Sequence, residues 1–152
     1  MTKTRSVSAI DNGVVIDHIP VGQSLKIIRL LHVVHSKQQV TLGLNLRSES
    51  LKLKDLIKIE NRLLTPQEVD HVAIFAPGAT INRIKKFKVS SKIKCKLPNT
   101  IRDVLVCPNL TCIAHTQKKG YFKLEGSSNQ VKLRCFYCEK QFERAEVEEI
   151  YL

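Results

Sequence analysis

Tryptophan is absent from the 152 residues, methionine occurs once, and aromatic side chains make up only 5% of the chain. A core built from so few rings must rest on branched aliphatic residues. Acids are scarce as well: 14 Asp and Glu stand against 25 Lys and Arg, for a formal charge of +11. Such a balance points toward an anionic partner. No apolar run approaches the roughly 18 residues that a membrane helix needs. The best candidate, residues 27–34, is interrupted by Arg29 and His32. Behind the polar opening Met1-Thr2-Lys3-Thr4-Arg5-Ser6 there is no apolar segment of a secretory leader, so the expected compartment is the cytoplasm. The sequence also lacks G-x-x-x-x-G-K-[ST], G-x-G-x-x-G, G-x-S-x-G and H-E-x-x-H. Walker-type and Rossmann nucleotide sites, a nucleophile elbow and a zincin protease are therefore unsupported. Nothing assembles a catalyst.

Cysteine is the scarce residue whose placement says most. Four of the five form two pairs, Cys107-x4-Cys112 and Cys135-x2-Cys138, with 22 residues between them. Each pair closes a tight knuckle that aims two sulfurs at one point. Zn²⁺ takes four tetrahedral ligands at about 2.3 Å for sulfur, and four thiolates fill that shell. Two disulfides are the competing reading, but a reducing compartment favours metal at this spacing. With no open coordination position, the zinc is structural and one per chain. His115 lies close enough to displace a thiolate, but reads better as a surface residue or as one that supports a ligand. Cys95 stands outside this quartet as a spare thiol, expected to pack in the interior rather than to act as a nucleophile.

The charge divides unevenly. Residues 1–100 carry 17 basic and 7 acidic side chains, a net of +10, whereas residues 101–152 carry 8 and 7, a net of +1. The positive field thus belongs to the part without the zinc pattern. That weakens the reading of a zinc-ribbon nucleic-acid-binding protein, which remains the alternative.

Periodicity supplies the elements. Val7 to Ile10 suggests a short edge strand. A β-branched run from Val14 to Ile19 is stopped by Pro20. Between Gln23 and Val34, Leu25, Ile28 and Leu31 recur at helical spacing, flanked by Ile27, Leu30 and Val34, with Lys26 and Arg29 outward. Residues 39–46 alternate, setting Val40, Leu42, Leu44 and Leu46 on one strand face, and residues 55–60 form the next strand. Thr65-Pro66-Gln67-Glu68 carries a capping box with proline at the first helical position. That helix presents Val69, Val72, Ala73 and Ala76 and stops at Pro77-Gly78. Residues 79–84 make a last strand, continuing irregularly to Val89.

Strand, helix, strand, strand, helix, strand is the split βαβ order, a ferredoxin-like α+β sandwich with a four-stranded antiparallel sheet and both helices on one face. Residues 92–103 read as a linker. Residues 121–124 and 130–135 flank the polar turn Gly126-Ser127-Ser128-Asn129 and form a hairpin in a small all-β zinc-binding domain. About 50 residues of short strands bury little core, so the metal must supply much of its stability. The predicted domains are 1–97 and 98–152.

Residues 83–96 hold seven basic side chains in fourteen and no acid. They fit either a solvated strand face or a clamp of lysine point charges for phosphate oxygens, with Phe87 among them to cover a base or pack inward. Asp17 and His18 interrupt an apolar strand, and Lys58 interrupts another. Neighbours in a strand point to opposite faces, so these three either form one ligand face or are solvated edge residues. The acidic tail, Glu143, Glu146, Glu148 and Glu149, reads as a solvated or docking face.

Several segments together resemble the regulatory chain of aspartate carbamoyltransferase: Val15 to Pro20, Thr41 to Leu46, Asp55 to Asn61, Ala76-Pro77, Ala79 to Ile84, Val104 to Asn109, and the cysteine pattern ending in Tyr137-Cys138-Glu139. They run in that family's order from about residue 14 to 143. The resemblance implies a non-catalytic allosteric subunit of pyrimidine biosynthesis that binds CTP and ATP. It implies pairing with a second copy through the N-terminal domain, docking of the zinc domain on a separate catalytic chain, and a six-plus-six heterododecamer. Neither membrane nor nucleic acid is an implied partner. Carried over by position, the nucleotide contacts are Asp17, His18, Lys54, Lys58, Asn82, Ile84, Val89 and Lys92. Ala9 and Ile10 match a strand that reads the base through backbone groups. Phe87 stands where tyrosine is common, which removes a hydroxyl.

Overall fold

The computed structural model describes residues 9–117, 120–127 and 130–149. The chain divides into two compact units, residues 1–96 and 97–152.

The first unit holds β1 (Gly13–Ile19), α1 (Ser24–Leu30), a 3₁₀ turn (Val33–His35), β2 (Val40–Ser48), β3 (Lys52–Glu60), α2 (Pro66–Phe75), β4 (Thr80–Lys85) and β5 (Lys88–Lys94). Its sheet has the order β2-β3-β1-β4-β5, every neighbouring pair antiparallel. The first four strands form the ferredoxin-like sandwich, a mixed α+β arrangement as the sequence suggests. A fifth strand is added where the sequence reading has only an irregular continuation and then a linker. Five of its seven residues are polar and all seven are exposed, Val89 and Ile93 included, so it carries no burial pattern by which to recognise it. Backbone pairing with β4 alone makes it a strand. Val7 and Ser8 of the suggested N-terminal edge strand lie outside the described residues, and Ala9 and Ile10 are not in a strand.

Val14 and Ile16 of β1 share a face with Ile59 and Ile57 of β3 and with Ile81 of β4, and all are buried. This is the helix side of the sheet. From α1 the buried side chains are Ser24, Ile27 and Ile28, followed by Leu31. That is an i, i+3, i+4, i+7 stripe, rotated from the one predicted: Leu25 is 52% exposed and Val34 68%. The helix also stops early, because His32 adopts φ 55° and begins the 3₁₀ turn. In α2 the capping box forms, with Thr65 Oγ1 accepting from Glu68 N–H and Glu68 accepting from Thr65 N–H, both at 3.1 Å. Its last turn is buried on all sides through Ile74 and Phe75, and Gly78, at φ 90°, takes the left-handed conformation after it.

The alternating face of β2 does not become core. Leu42 and Leu44 are 38% and 49% exposed and only Gly43 is buried. β2 is an edge strand, and its register shifts between Gly43 and Leu46 around Asn45, at φ 56°. Asp55 holds the shift in place. It is 1% exposed and accepts from Asn45 N–H, Gly22 N–H and the Ser24 hydroxyl at 3.1, 3.1 and 2.6 Å.

The second unit holds β6 (Thr100–Arg102), β7 (Leu105–Val106), α3 (Ala114–Gln117), β8 (Tyr121–Ser127), β9 (Gln130–Cys135), β10 (Gln141–Glu143), a 3₁₀ turn (Arg144–Glu146) and β11 (Glu148–Glu149). β6, β8, β9 and β10 form an antiparallel sheet in the order β10-β9-β8-β6, and β11 pairs with β7. The predicted hairpin is β8–β9; Ser128 and Asn129 of its turn lie outside the described residues. Ile101, Val104, Leu105, Ala114, Phe122, Leu124, Val131, Leu133 and Val147 are its buried apolar residues besides the cysteines. Among the described residues no helix is long and apolar enough to cross a membrane.

Candidate metal centre and candidate nucleotide face

Cys107, Cys112, Cys135 and Cys138 bring their sulfurs together, all within 4.8 Å of one another. Cys107 and Cys138 Sγ are 3.8 Å apart, and Cys112 and Cys135 Sγ are 3.7 Å apart. A tetrahedron with metal–sulfur bonds near 2.3 Å has sulfur–sulfur edges of about 3.8 Å, whereas a disulfide requires about 2.05 Å. The quartet therefore has the dimensions of a zinc site and none of a bridge.

Each knuckle is held by its own backbone. In the first, Cys112 N–H donates to the Asn109 carbonyl (3.0 Å), and Asn109 Oδ1 accepts from both the amide and hydroxyl of Thr111. In the second, Glu139 N–H donates to the Cys135 carbonyl (2.9 Å), and Glu139 takes φ 63° to close the loop. Ala114 N–H approaches Cys112 Sγ at 3.5 Å. His115 is no ligand: its Nε2 lies 2.6 Å from the Cys107 carbonyl oxygen. A carbonyl only accepts, so Nε2 carries the proton and the ring braces the first knuckle. The thiols differ in proton affinity. Burial pushes Cys107 and Cys135 up. At Cys138 burial also acts upward, but the backbone N–H of Lys140, the Asn109 side chain and the neighbouring thiols outweigh it and bring it to about 7. Bound zinc replaces all four protons, and the thiolates with two knuckles and a bracing imidazole make a closed, structural site.

The first unit assembles polar residues on the other face of its sheet. Strand register decides this directly. Val15 of β1 stands opposite Lys58 of β3 and Asn82 of β4, and Asn82 stands opposite Lys92 of β5. Gly13 pairs with Ile84, and Ile84 with Val89, after a bulge that leaves Ser90 unpaired. Asp17 pairs with Thr80, and Thr80 with Lys94. Residues paired across an antiparallel ladder share a face, so Asp17, Lys58, Asn82, Ile84, Val89 and Lys92 lie together on the side away from the helices. Lys54 joins them through an ion pair with Asp17 (2.8 Å).

His18 reaches the same face against the simple alternation of a strand. Its φ is 58°, and the β1–β3 register shifts between Ile16 and Ile19. The bulge turns the ring so that Nδ1 lies 3.0 Å from Thr80 Oγ1, while His18 N–H donates to Asp17 Oδ1 at 2.7 Å. A bulge that redirects one side chain beside a site is a recurrent device.

The N-terminal segment and Phe87 sit at one margin. Lys86 and Phe87 form the tight β4–β5 turn, both at positive φ, and Phe87 N–H donates to the Asp11 carbonyl at 2.9 Å. This bond draws the segment after Ala9 and Ile10 to the turn. Ala9 is exposed, Ile10 is buried, and the Phe87 ring is 62% exposed. The sequence reading missed Val15, Thr80 and Lys94 on this face. The first two carry no charge to mark them, and Lys94, within both the basic stretch and the expected linker, is assigned to this face only by pairing with β4.

Comparison with known families agrees along both units. The allosteric domain of the aspartate carbamoyltransferase regulatory chain matches residues 5–96, and the metal-binding domain of the same chain matches residues 99–148. An aspartate carbamoyltransferase regulatory chain of Tolumonas auensis is 45% identical over 98% of this chain and 97% of its own length. Regulatory chains of the same name from Psychromonas ingrahamii and Vibrio cholerae are each 44% identical, the first over 94% of this chain and 95% of its own, the second over 95% and 94%.

Proposed function

The chain belongs to the family of aspartate carbamoyltransferase regulatory chains, non-catalytic subunits with an allosteric and a metal-binding domain, and from that premise we propose that its first unit binds CTP and ATP on the sheet face carrying Asp17, His18, Lys58, Asn82 and Lys92. One observation supports this above the others: four strands contribute cations and hydrogen-bonding groups to a single face through their register. Lys92 and Lys94, with Lys58 and Lys54 across the sheet, suit a triphosphate of about −4 charge as point charges on rigid strands. Ile84, Val89 and Val15 give apolar surface for the base or ribose. Backbone groups at Ala9 and Ile10, with Phe87, close the margin.

The partner is the catalytic chain of aspartate carbamoyltransferase, and we assign its docking to the zinc unit. Leu110, Ile113, Phe136 and Tyr137 sit on or beside the two knuckles and are 84%, 56%, 45% and 44% exposed. Apolar and aromatic residues at this exposure suit the core of a protein interface. The unit's net charge of +1 gives no electrostatic reason to seek nucleic acid, and the matched families and the relatives named above give that alternative no support. Pairing with a second copy through the first unit, the six-plus-six assembly and a cytoplasmic location complete the reading.

Because the nucleotide face and the zinc ligands belong to different units, nucleotide acts on catalysis by favouring one of two arrangements of the assembly. Such coupling is typically about 1–3 kcal/mol. Calorimetric titration of the zinc-loaded chain with CTP and ATP tests the site. Lys92→Ala or Lys58→Ala should each weaken binding by about 1.5–3 kcal/mol, the value of a charge-assisted contact. Unchanged affinity in both variants would refute the site. Duplex DNA or RNA binding more tightly than nucleotide, with a steep salt slope, would restore the nucleic-acid reading.

A further inference from the structure

The helix side of the first sheet is not covered to its end. Beyond α2, around the residue 61–64 connection, a groove of about 520 Å³ opens, lined by Arg62, Leu63, Arg83, Ile84, Lys85, Ser90 and Ser91 and floored by Asn12, Gly13 and Asn61. Its size is within the range of small-molecule sites. No carboxylate lines it. Arg62 donates to Glu68 at 2.6 Å, which fixes the guanidinium at the rim, while Arg83 and Lys85, two residues apart on β4, project exposed cations to one side.

The groove is a different place from the nucleotide face. Arg83 alternates with Asn82 and Ile84 along β4, and its cross-strand partner Ser91 alternates with Lys92. Arg83 and Ser91 therefore lie back to back with Asn82 and Lys92 across the same strands, and only Ile84, at the end of the sheet, borders both places. The floor is held rigidly. Asn61 N–H donates to the Asn12 carbonyl (3.0 Å), Lys86 N–H approaches Asn12 Oδ1 (3.4 Å), and Gly13 lets β1 pass where a Cβ would come within 2.1 Å of the Ile59 carbonyl.

We infer that this groove is a second anion site, taking a small phosphomonoester on the reverse side of the sheet from the nucleotide. Arg83 and Lys85 supply the charge, the Ser91 hydroxyl supplies a further donor, and Leu63 offers apolar contact to the ester's organic part. Arginine with lysine, hydroxyls and no acid is the donor set that phosphate oxygens accept. Because β4 and β5 are common to both faces, occupancy here bears on the strands that carry Asn82 and Lys92. The site does not depend on the nucleotide reading.

The test is an amide chemical-shift titration of the full, zinc-loaded chain with ribose 5-phosphate and, separately, with inorganic phosphate. Saturable shifts should centre on Arg83, Lys85, Ser90 and Ser91. Arg83→Ala and Lys85→Ala should each weaken binding by about tenfold or more, as loss of a charge-assisted contact does, while Lys92→Ala leaves it unchanged. Equal response to inorganic phosphate supports the site and assigns it to the free anion; stronger response to ribose 5-phosphate assigns it to the ester. Lys85 is exposed at a strand end, so its variant reports even if Arg83→Ala fails to fold. Absence of saturable shifts below about 10 mM, an affinity too weak to be specific, overturns the proposal. So does weakening by Lys92→Ala with none by Lys85→Ala.

Discussion

The two units reach stability by different physics. The first, residues 1–96, buries a sheet face against two helices and carries a net charge of +10; the second, residues 97–152, carries +1 and is built from short strands. In the first, Val14, Ile16, Ile27, Ile57, Ile59, Val72 and Ile74 are each at most 2% exposed, an aliphatic core that stands without a metal. In the second, three of the twelve buried apolar residues among those described are the zinc ligands Cys107, Cys112 and Cys135. Metal and core are there the same residues. The division of labour follows: the unit that stands by itself presents a charged, open sheet face, and the unit that needs metal presents apolar knuckles.

Removing zinc breaks this contrast most severely. Structural zinc contributes apparent free energies on the order of 10 kcal/mol in small domains, more than a 56-residue unit has to spare. Chelation or Cys135→Ser should unfold the second unit and abolish association with the catalytic chain, while the CTP binding proposed for the first unit should persist. Metal analysis with hydrogen exchange reads this out. Protected amides in β8 and β9 after complete zinc loss would show that the strands suffice alone.

A smaller effect is expected at Asp55. Its replacement by alanine leaves three donors near the β1–α1 connection and the β2 bulge without their acceptor. Loss of hydrogen bonds to a buried charged group should destabilise the first unit by about 3 kcal/mol. Denaturant unfolding should register this in the first unit, with zinc content unaltered. Simultaneous loss of zinc would mean that the units are not independent in stability.

The smallest effect concerns Cys95, which is 2% exposed. Burial, helped by the charge of Asp70, pushes its thiol from 9.0 up to about 11. At neutral pH it is protonated in both folded and unfolded chains, so Cys95→Ser should show no added pH dependence there. Between about pH 9 and 11 the folded state holds a proton that the unfolded state has released. Stability therefore falls as pH rises through that window. The difference between wild type and variant should change only there, and a difference with the same slope from pH 6 to 8 would contradict the assignment. With zinc bound, all five thiols should react slowly with a thiol reagent at pH 7, Cys95 because it is buried and neutral.

Much of the site was legible before any fold was known. The four cysteines declare themselves by spacing, because a metal requires ligands that converge, and short loops between paired ligands converge locally. The capping box at Thr65 and Glu68 is equally local. Asp17, Lys58 and Lys92 could be singled out as polar residues in apolar or basic strands, and resemblance to a family connected them. What stayed hidden depended on pairing: β5 has no burial pattern, Val15 and Thr80 have no marker of their own, and His18 turns to the polar sheet face only through a bulge.

By itself, then, the sequence determined which residues could bind zinc, where the two units divide in charge and composition, and the order of helices and strands, since each is written in spacing or periodicity along the chain. Tertiary structure alone decided which side of α1 is buried, that the alternating leucines of β2 face outward, and which side chains from β1, β3, β4 and β5 share a surface. The reason is physical. A knuckle or a cap is closed by neighbours in sequence, whereas a sheet face is defined by register between strands up to about 80 residues apart, as between Val14 and Ser91 across Arg83 of β4, and a one-residue shift sends every side chain to the other side.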